Sequence, residues 1–217
     1  MKFFKKKEKQ VYEQKSKNIT VEENENNLLF IIKILKDIEY FIFFGTLLGV
    51  VRDNRLIDGD DDVDLYVNIK DKDKLIKILR DHNIEVNLTL PMNKSGYFIQ
   101  VFRKINGKTL TIDFYLYETE LEKNYIIERW NLEGGTHIES KYLRIPKIFI
   151  YPIKETIFRE EKIPVPAQGE LICEFIYGKN WKTKLKKDEE YKIEIINGLP
   201  RMFLVKKFLF FKRYILI

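Results

Sequence analysis

Six aspartates fall within the twelve residues 53–64 of this 217-residue chain. Two unit charges about 4 Å apart repel each other by roughly 4 kcal/mol at an effective dielectric constant near 20, so crowded carboxylates need solvent, protons or cations around them. The last of these acids lead directly into residues 63–67, a mostly apolar run with the residue types of a β-strand. The chain must therefore fold so that an acidic cluster lies at the start of a buried strand.

Strand alternation predicts how these acids are oriented. Asp62 and Asp64 lie on one face of such a strand, and their apolar neighbours lie on the other face. A later strand candidate, residues 109–116, carries Asp113 among strand-forming residues and supplies a third acid if the two strands pair. Carboxylate oxygens of this kind suit Mg²⁺ or Mn²⁺ bound together with substrate phosphates. We therefore predict these three acids as metal ligands and catalytic residues, with Asp60 supporting the loop or a metal-bound water.

A polar turn and a calcium loop are the two alternatives to this site for the aspartate run. A polar turn accounts for clustered aspartates, but it does not explain acids that continue into a strand. A calcium loop of the EF-hand type needs Gly at its sixth position and Glu at its twelfth. Starting the loop at Asp58 places Val63 and Ile69 there, and starting it at Asp60 also supplies neither residue. A site for a divalent ion and a phosphate remains the better interpretation.

The segment before the aspartates carries candidate phosphate-binding groups. Gly45 and Thr46 follow the apolar run 41–44 and open a short helix, where backbone N–H groups and a hydroxyl can hold a phosphate. Arg52 offers a fork for a second phosphate oxygen or for a carboxylate of the aspartate run. The sequence contains no P-loop, no Gly-x-Gly-x-x-Gly turn and no serine nucleophile elbow, which argues against the enzyme classes that use them.

Hydrophobic periodicity predicts an α+β fold. A capping box at Thr20 and Glu23 begins a helix over 21–39, and a second helix is expected over 71–82. Apolar residues at helical spacing before Gly178 predict a further helix, and hence a mostly helical C-terminal region. The strand candidates are 41–44, 63–67, 85–90, 97–102 and 109–116.

The basic excess behind the formal charge of +6 sits at the two ends of the chain, and the residues between them are mildly acidic. Residues 1–18 hold seven Lys against two Glu, and residues 201–217 hold five basic side chains and no acid. A nucleic-acid-binding domain concentrates basic charge on its folded surface, so we expect no nucleic-acid partner. The interleaved aromatic and cationic residues of 202–217 are typical of a helix at an anionic membrane surface, or else of a final helix packed on the core. We divide the chain into a basic arm (1–19), a catalytic domain (20–198) and a basic amphipathic segment (199–217).

The numbers of cysteine and histidine residues bear on where the protein resides and on which metals it can bind. A single cysteine, Cys173, excludes an internal disulfide framework, and with two histidines the chain lacks a ligand set for structural zinc. No stretch reaches the roughly 20 apolar residues of a membrane-spanning helix, and the basic N-terminus lacks the apolar region of a secretory signal. We expect a cytoplasmic protein, peripheral on the inner face of the cell membrane if its C-terminal segment binds there.

Two motifs strongly resemble the LicD family of phosphotransferases, whose relatives include fukutin and fukutin-related protein. They are Phe-Gly-Thr-Leu-Leu-Gly-Val-Val-Arg at 44–52 and Asp-Asp-Asp-Val-Asp-Leu at 60–65. Residues 163–166 (Ile-Pro-Val-Pro) and 177–181 (Tyr-Gly-Lys-Asn-Trp) are similar to the family's other recurring segment. The resemblance covers about 28–190 and implies a nucleotidyltransferase-like mixed β-sheet flanked by helices.

The resemblance also assigns roles to particular residues. It places the superfamily's Gly-Ser/Thr turn on Gly45 and Thr46, its metal-binding acid pair on Asp62 and Asp64, and its third acid on Asp113. The family's Ile-Pro-Trp before the aspartates is here Ile-Asp-Gly at 57–59, so recognition of donor or acceptor at this edge differs from the family pattern.

The function implied by the resemblance is transfer of a phosphate-linked small group, such as phosphocholine or a polyol phosphate. The donor is a CDP-linked small molecule, and the acceptor is a hydroxyl of a glycan, such as a lipopolysaccharide or capsule precursor. Three alternatives stay open: a nucleotidyltransferase acting on a small molecule, a glycosyltransferase using the Asp-x-Asp pair, and a non-catalytic membrane or glycan adaptor.

Overall fold

The structure is a computed structural model, and it describes residues 19–86, 96–128, 143–185, 189–207 and 212–216. The predicted N-terminal arm therefore lies outside the described residues apart from Ile19. The helices are α1 (Val21–Ile34), α2 (Phe44–Asp53), α3 (Lys72–Asp81), α4 (Lys147–Ile150) and α5 (Gly169–Tyr177). The strands are β1 (Tyr40–Ile42), β2 (Asp62–Asn68), β3 (Glu85–Val86), β4 (Phe98–Ile105), β5 (Lys108–Thr119), β6 (Tyr125–Glu128), β7 (Leu143–Pro146), β8 (Lys154–Phe158), β9 (Glu161–Val165), β10 (Glu189–Ile196), β11 (Leu199–Lys207) and β12 (Lys212–Leu216).

A seven-stranded mixed sheet forms the centre of the molecule. Its main path runs β1-β2-β5-β4-β3, and the end of β5 also pairs with β6, which pairs with β7. Strands β2 and β5 are parallel, whereas β1 pairs with β2 and β4 pairs with β5 in antiparallel fashion. The connection between the parallel strands includes α3, β3 and β4. The predicted mixed sheet flanked by helices is confirmed.

Helix α1 begins as the sequence predicts. The Thr20 Oγ1 accepts a hydrogen bond from the Glu23 N–H at 3.2 Å, and the Glu23 carboxylate accepts one from the Thr20 N–H at 2.8 Å. The helix ends at Ile34, five residues earlier than expected, because residues 36–38 form the turn that leads into β1 at Tyr40. Its apolar face, represented by Leu28 and Ile31, is buried in the same core as strands β2 and β5.

Most of the other predicted elements are present with shifted ends. The apolar run 41–44 is strand only to Ile42, since Phe44 already begins α2. The helix predicted before Gly178 is α5, which ends at Tyr177, and Gly178 has a φ of 78° that suits glycine. The predicted strand 85–90 is strand over Glu85–Val86, and its remainder lies outside the described residues.

The C-terminal region is not the helix that the sequence predicts. Strands β10, β11 and β12 form a three-stranded antiparallel sheet in that order. Asn197 and Gly198 both have positive φ, 53° and 81°, which is the backbone of a two-residue hairpin turn. Phe, Val, Ile and Tyr, which are frequent in this region, also favour strands over helices. The prediction of a C-terminal helix is therefore wrong, and α5 is followed by sheet.

Within the described ranges, no helix is long and apolar enough to span a lipid bilayer.

Candidate active site

The parallel pairing of β2 with β5 brings the predicted acids together. Asp64 is the register partner of Asp113, and Asp62 is the partner of Thr111. Neighbouring strands lie about 4.8 Å apart, and alternate residues share a face, so Asp62, Asp64 and Asp113 lie on one face of the sheet. We call these three residues the carboxylate face. Asp64 and Asp113 are each only 6% exposed, which makes this a buried acidic site rather than a solvated turn.

The first turn of α2 is fixed to β2 at Asp64. The Gly45 N–H donates to Asp64 Oδ2 at 3.0 Å, and the Asp64 N–H donates to the Thr46 hydroxyl oxygen at 2.8 Å. Phe44, the first residue of α2, has a φ of 41°, a left-handed backbone that costs a non-glycine residue about 1–2 kcal/mol. Gly45 and Thr46, which the sequence predicts as phosphate-binding groups, lie beside the acids and bind Asp64 in this structure.

Gly45 makes room for a second carboxylate. A Cβ atom added at Gly45 would lie 2.7 Å from Asp60 Oδ2 and 3.3 Å from Asp64 Oδ2. The missing side chain is thus what allows both acids to approach the start of α2. The N-terminal end of a helix attracts negative charge, so this placement partly offsets the repulsion between the two carboxylates.

Asp60, Asp61 and Asp62 form a group of three acids, within the described part of the chain, whose spacing could hold a metal ion. One oxygen from each lies within 4.8 Å of the others, and all three side chains are partly exposed. This set differs from the predicted one, because it includes Asp61 and omits Asp64 and Asp113. The aspartate run contains the signal for Asp61, but Asp61 precedes the first residue of β2, so strand alternation does not orient its side chain.

The acids are electrostatically coupled around Asp64. Burial raises the pKa of Asp64 well above its usual value, and the negative charges of Asp62, Asp60 and Asp113 raise it further. The Tyr115 hydroxyl donates to Asp64 Oδ1 at 3.2 Å and partly opposes this shift. A site that holds these charges in so little solvent favours a proton or a cation among them. Such a set of hard oxygen donors fits Mg²⁺ or Mn²⁺.

Two residues that the sequence analysis missed orient the buried acids. The Gln100 side-chain amide donates to Asp113 Oδ1 at 2.7 Å, and Gln100 is the register partner of Asp113 on β4. Tyr115 follows Asp113 by two positions on the same face, and burial followed by the charge of Asp64 raises the pKa of its phenol. Tyr115 therefore stays protonated and acts as a hydrogen-bond donor. Strand alternation places Tyr115 on this face, but only the β4–β5 register identifies Gln100.

A polar stripe on α1 holds the loop that carries the aspartates. The Asn24 amide donates to the carbonyl of Asp62 at 2.8 Å, and the Glu25 carboxylate accepts a hydrogen bond from the Leu56 N–H at 3.1 Å. Arg159, in the turn between β8 and β9, binds Glu25 with two hydrogen bonds of 2.8 and 3.0 Å. These buried polar residues of α1 were also missed, because hydrophobic periodicity identifies only the apolar positions of a helix.

Arg52 lies away from the carboxylate face. Its Nε and Nη2 atoms are each 3.0 Å from Asp53 Oδ2, and Lys184 Nζ lies 3.2 Å from Asp53 Oδ1. Arg52 lies seven positions after Gly45 in α2, which is about 10 Å along the helix axis. Arg52 thus binds a carboxylate of the aspartate run, as one alternative predicted, but at the far end of α2 from the other acids.

The central part of the chain, which carries this site, matches a known protein family. The family model described as LicD/FKTN/FKRP, nucleotidyltransferase domain, matches residues 37–168. The chain belongs to the LicD family. The matched range includes strands β1 to β9 and every predicted site residue, while α1 with its polar stripe precedes it. A transferase is the activity that this family membership indicates.

This LicD family member is also similar to a solved structure of another protein. No match was found among curated proteins. Among solved structures, the chain is similar to the lincomycin-bound crystal structure of the lincosamide antibiotic adenylyltransferase LnuA. The two share 16% sequence identity with a TM-score of 0.48, and the alignment covers 78% of this chain and 92% of that one.

Proposed function

We propose that this protein is a divalent-metal-dependent phosphotransferase of the LicD type. It moves a phosphate-linked small group, of the phosphocholine or polyol-phosphate class, from a CDP-activated donor to a hydroxyl of a cell-surface glycan precursor. The observation that carries the proposal is the register pairing of Asp64 with Asp113 beside the start of α2. Family membership supports the class of reaction, and the carboxylate face supports the use of a metal.

The residues proposed to hold Mg²⁺ or Mn²⁺ are Asp62, Asp64 and Asp113, with Asp60 supporting the loop. Their hard oxygen donors and the space that Gly45 leaves for Asp60 and Asp64 fit such an ion. When bound, the ion supplies charge neutralisation for the diphosphate of the donor.

The protein groups around the acids perform the positioning. Gly45 and Tyr115 bind different oxygens of Asp64, which fixes the plane of its carboxylate. Gln100 binds one oxygen of Asp113 and fixes that side chain in the same way. Asp113 then completes the metal site or accepts the proton of the attacking hydroxyl, a role that requires hydrogen-bond distance to the acceptor. Burial of Asp64 and Asp113 limits the access of water, which would compete with the acceptor hydroxyl.

The test is product analysis with three labelled donors. The full-length protein is incubated with CDP-choline, a CDP-polyol or nucleoside triphosphates, together with glycan acceptors and Mg²⁺ or Mn²⁺. We expect transfer of the phosphate-linked head group with release of CMP, and no transfer after chelation of the metal. Transfer of a nucleoside monophosphate would instead support the second candidate, a nucleotidyltransferase, which the name of the matched domain favours.

We place the protein at an anionic membrane surface through residues 199–217. The support is the five basic residues between 201 and 217, which no acidic residue accompanies. Each basic residue near such a surface contributes about 1 kcal/mol. The test is flotation of the full chain with anionic and neutral vesicles, next to a variant in which Lys206, Lys207, Lys212 and Arg213 become Gln. We expect the variant to lose binding to anionic vesicles, and equal binding by both proteins contradicts this placement.

A further inference from the structure

Three buried side-chain polar atoms have no hydrogen-bond partner among the residues that the structure describes. They are Asn24 Oδ1, Tyr66 Oη and Thr111 Oγ1. All three border β2: Tyr66 belongs to it, the Asn24 amide binds the carbonyl of Asp62, and Thr111 is the register partner of Asp62. Buried polar atoms almost always have a hydrogen-bond partner, so each of these three exceptions needs an explanation. A bound ion or water molecule at this place is one such explanation.

Thr111 is the exception whose register partner, Asp62, belongs to the carboxylate face. It occupies β5 between Asp62 on β2 and Phe102 on β4, and it is 0% exposed. It precedes Asp113 by two residues, so the two side chains leave the same face of the strand. Asn27 of α1 donates to its carbonyl oxygen at 3.2 Å, which fixes the backbone at this point. The Thr111 hydroxyl is therefore held beside two proposed metal ligands.

The Thr111 hydroxyl can supply a hydrogen-bond donor, which the neighbouring carboxylates cannot. A threonine hydroxyl both donates and accepts hydrogen bonds, whereas a carboxylate only accepts them. Mg²⁺ gives up its water ligands reluctantly and usually keeps several of them when it binds to protein carboxylates. A valine has the same shape and also favours strands, so packing and strand propensity do not require the hydroxyl.

We propose that the Thr111 hydroxyl is a hydrogen-bonding group of the cation site, and that its partner is a water ligand of the ion held by Asp62, Asp64 and Asp113. This inference rests on the metal site of the proposed function. Thr111 is a positioning residue that acts through the ion's water shell, in the way that outer-sphere partners hold and orient the ligands of other metal sites.

The test compares the full-length protein with Thr111→Val, which removes the hydroxyl, and Thr111→Ser, which keeps it. Mn²⁺ affinity is measured by electron paramagnetic resonance, and unfolding temperature is measured with and without Mn²⁺ or Mg²⁺. We expect Thr111→Val to bind Mn²⁺ about tenfold more weakly or worse, the usual cost of losing such a partner. Thr111→Ser is expected to bind Mn²⁺ like the wild type. Without metal, Thr111→Val should unfold at a higher temperature than the wild type, because an unpaired buried hydroxyl is gone.

Each outcome decides a separate point. Wild-type Mn²⁺ affinity in Thr111→Val overturns the role of Thr111 and leaves the metal site of the proposed function standing. A lower unfolding temperature of metal-free Thr111→Val shows that the hydroxyl is paired within the protein, which also overturns the inference. Absence of Mn²⁺ binding by the wild type and by Thr111→Ser overturns the metal site itself and this inference with it. If Thr111→Val does not fold, Thr111→Ala removes the same hydroxyl without filling the space.

Discussion

Adjacent residues on the two faces of strand β2 are almost equally buried, but burial stabilises the fold on one face and opposes a charge on the other. Val63 and Leu65 are 0% exposed and belong to the hydrophobic core, where each buried side chain of this size contributes about 1.5–3 kcal/mol. Asp64, between them in sequence, is 6% exposed on the opposite face, where burial and neighbouring carboxylates both oppose its charge. One face of the strand stabilises the fold, and the other carries charge that a bound cation would stabilise.

The largest expected effect comes from changing the polar face. Asp64→Asn should lower turnover by about 10³-fold, because a lost ligand removes both metal placement and charge stabilisation. The same change relieves repulsion among the acids, so the metal-free variant should fold at least as well as the wild type. Asp58→Asn is the matched control, since that carboxylate is exposed and pairs with Arg55. Near-normal turnover of the Asp64 variant contradicts the assignment, and steady-state kinetics with circular dichroism measures both properties.

A substitution on the apolar face should reduce stability and leave metal binding intact. Leu65→Ala removes a fully buried side chain, and we expect it to reduce the free energy of unfolding by about 2–5 kcal/mol. The folded fraction should keep its Mn²⁺ affinity. Urea denaturation measures the stability change, and Leu121→Ala, at a fully exposed side chain, is the control that should change nothing. A large loss of Mn²⁺ affinity in folded Leu65→Ala would show that the two faces are not separable.

A smaller effect, on Mn²⁺ affinity, is expected from a substitution at Gly45, where α2 begins beside the acids. Gly45→Ala adds a Cβ atom 2.7 Å from Asp60 Oδ2, so the loop carboxylate must move and Mn²⁺ affinity should fall about tenfold. Gly169→Ala is the matched control: it also lies in the first turn of a helix, and its added Cβ meets Val51 at 3.1 Å. Equal Mn²⁺ affinity of the two variants would argue against a role for the space at Gly45.

The smallest effect is the pH dependence of stability without metal. Because burial and like charges raise the pKa of Asp64, the folded protein holds this proton to higher pH than the unfolded chain does. The contribution of Asp64 to stability is therefore present at low pH, and it is lost as the pH rises from the ordinary value of 3.8 through the raised one. A tenfold difference in proton affinity between the folded and unfolded chain corresponds to about 1.4 kcal/mol. Thermal unfolding of wild type and Asp64→Asn across this range should show a difference that grows with pH, and parallel curves would contradict the raised pKa.

Local patterns were sufficient to predict the acids of β2 and β5. Asp64 and Asp113 are each flanked by apolar strand residues, and Asp62 lies two positions before Asp64, so alternation alone assigns each of them a face. The sequence made the contribution of Asp113 depend on whether the two strands pair, and only the structure shows that they pair in parallel with Asp64 opposite Asp113. Their roles as metal ligands stay predictions.

Tertiary contacts decide what the sequence analysis missed. Gln100 approaches Asp113 only through the β4–β5 register, and Asn24 approaches Asp62 only because α1 packs against the start of β2. The C-terminal sheet was predicted as a helix because basic and aromatic residues alternate in short groups that fit either structure. The Asn197-Gly198 pair was the local signal for a hairpin, and it outweighs the amphipathic pattern.

The central claim is that the acids of β2 and β5 hold a divalent ion together. Anomalous diffraction from crystals of the full-length protein soaked in Mn²⁺ tests it most directly. We predict a manganese peak coordinated by oxygens of Asp62, Asp64 and Asp113. A peak held by Asp60, Asp61 and Asp62 without Asp64 and Asp113, or no peak among these acids, would contradict the account.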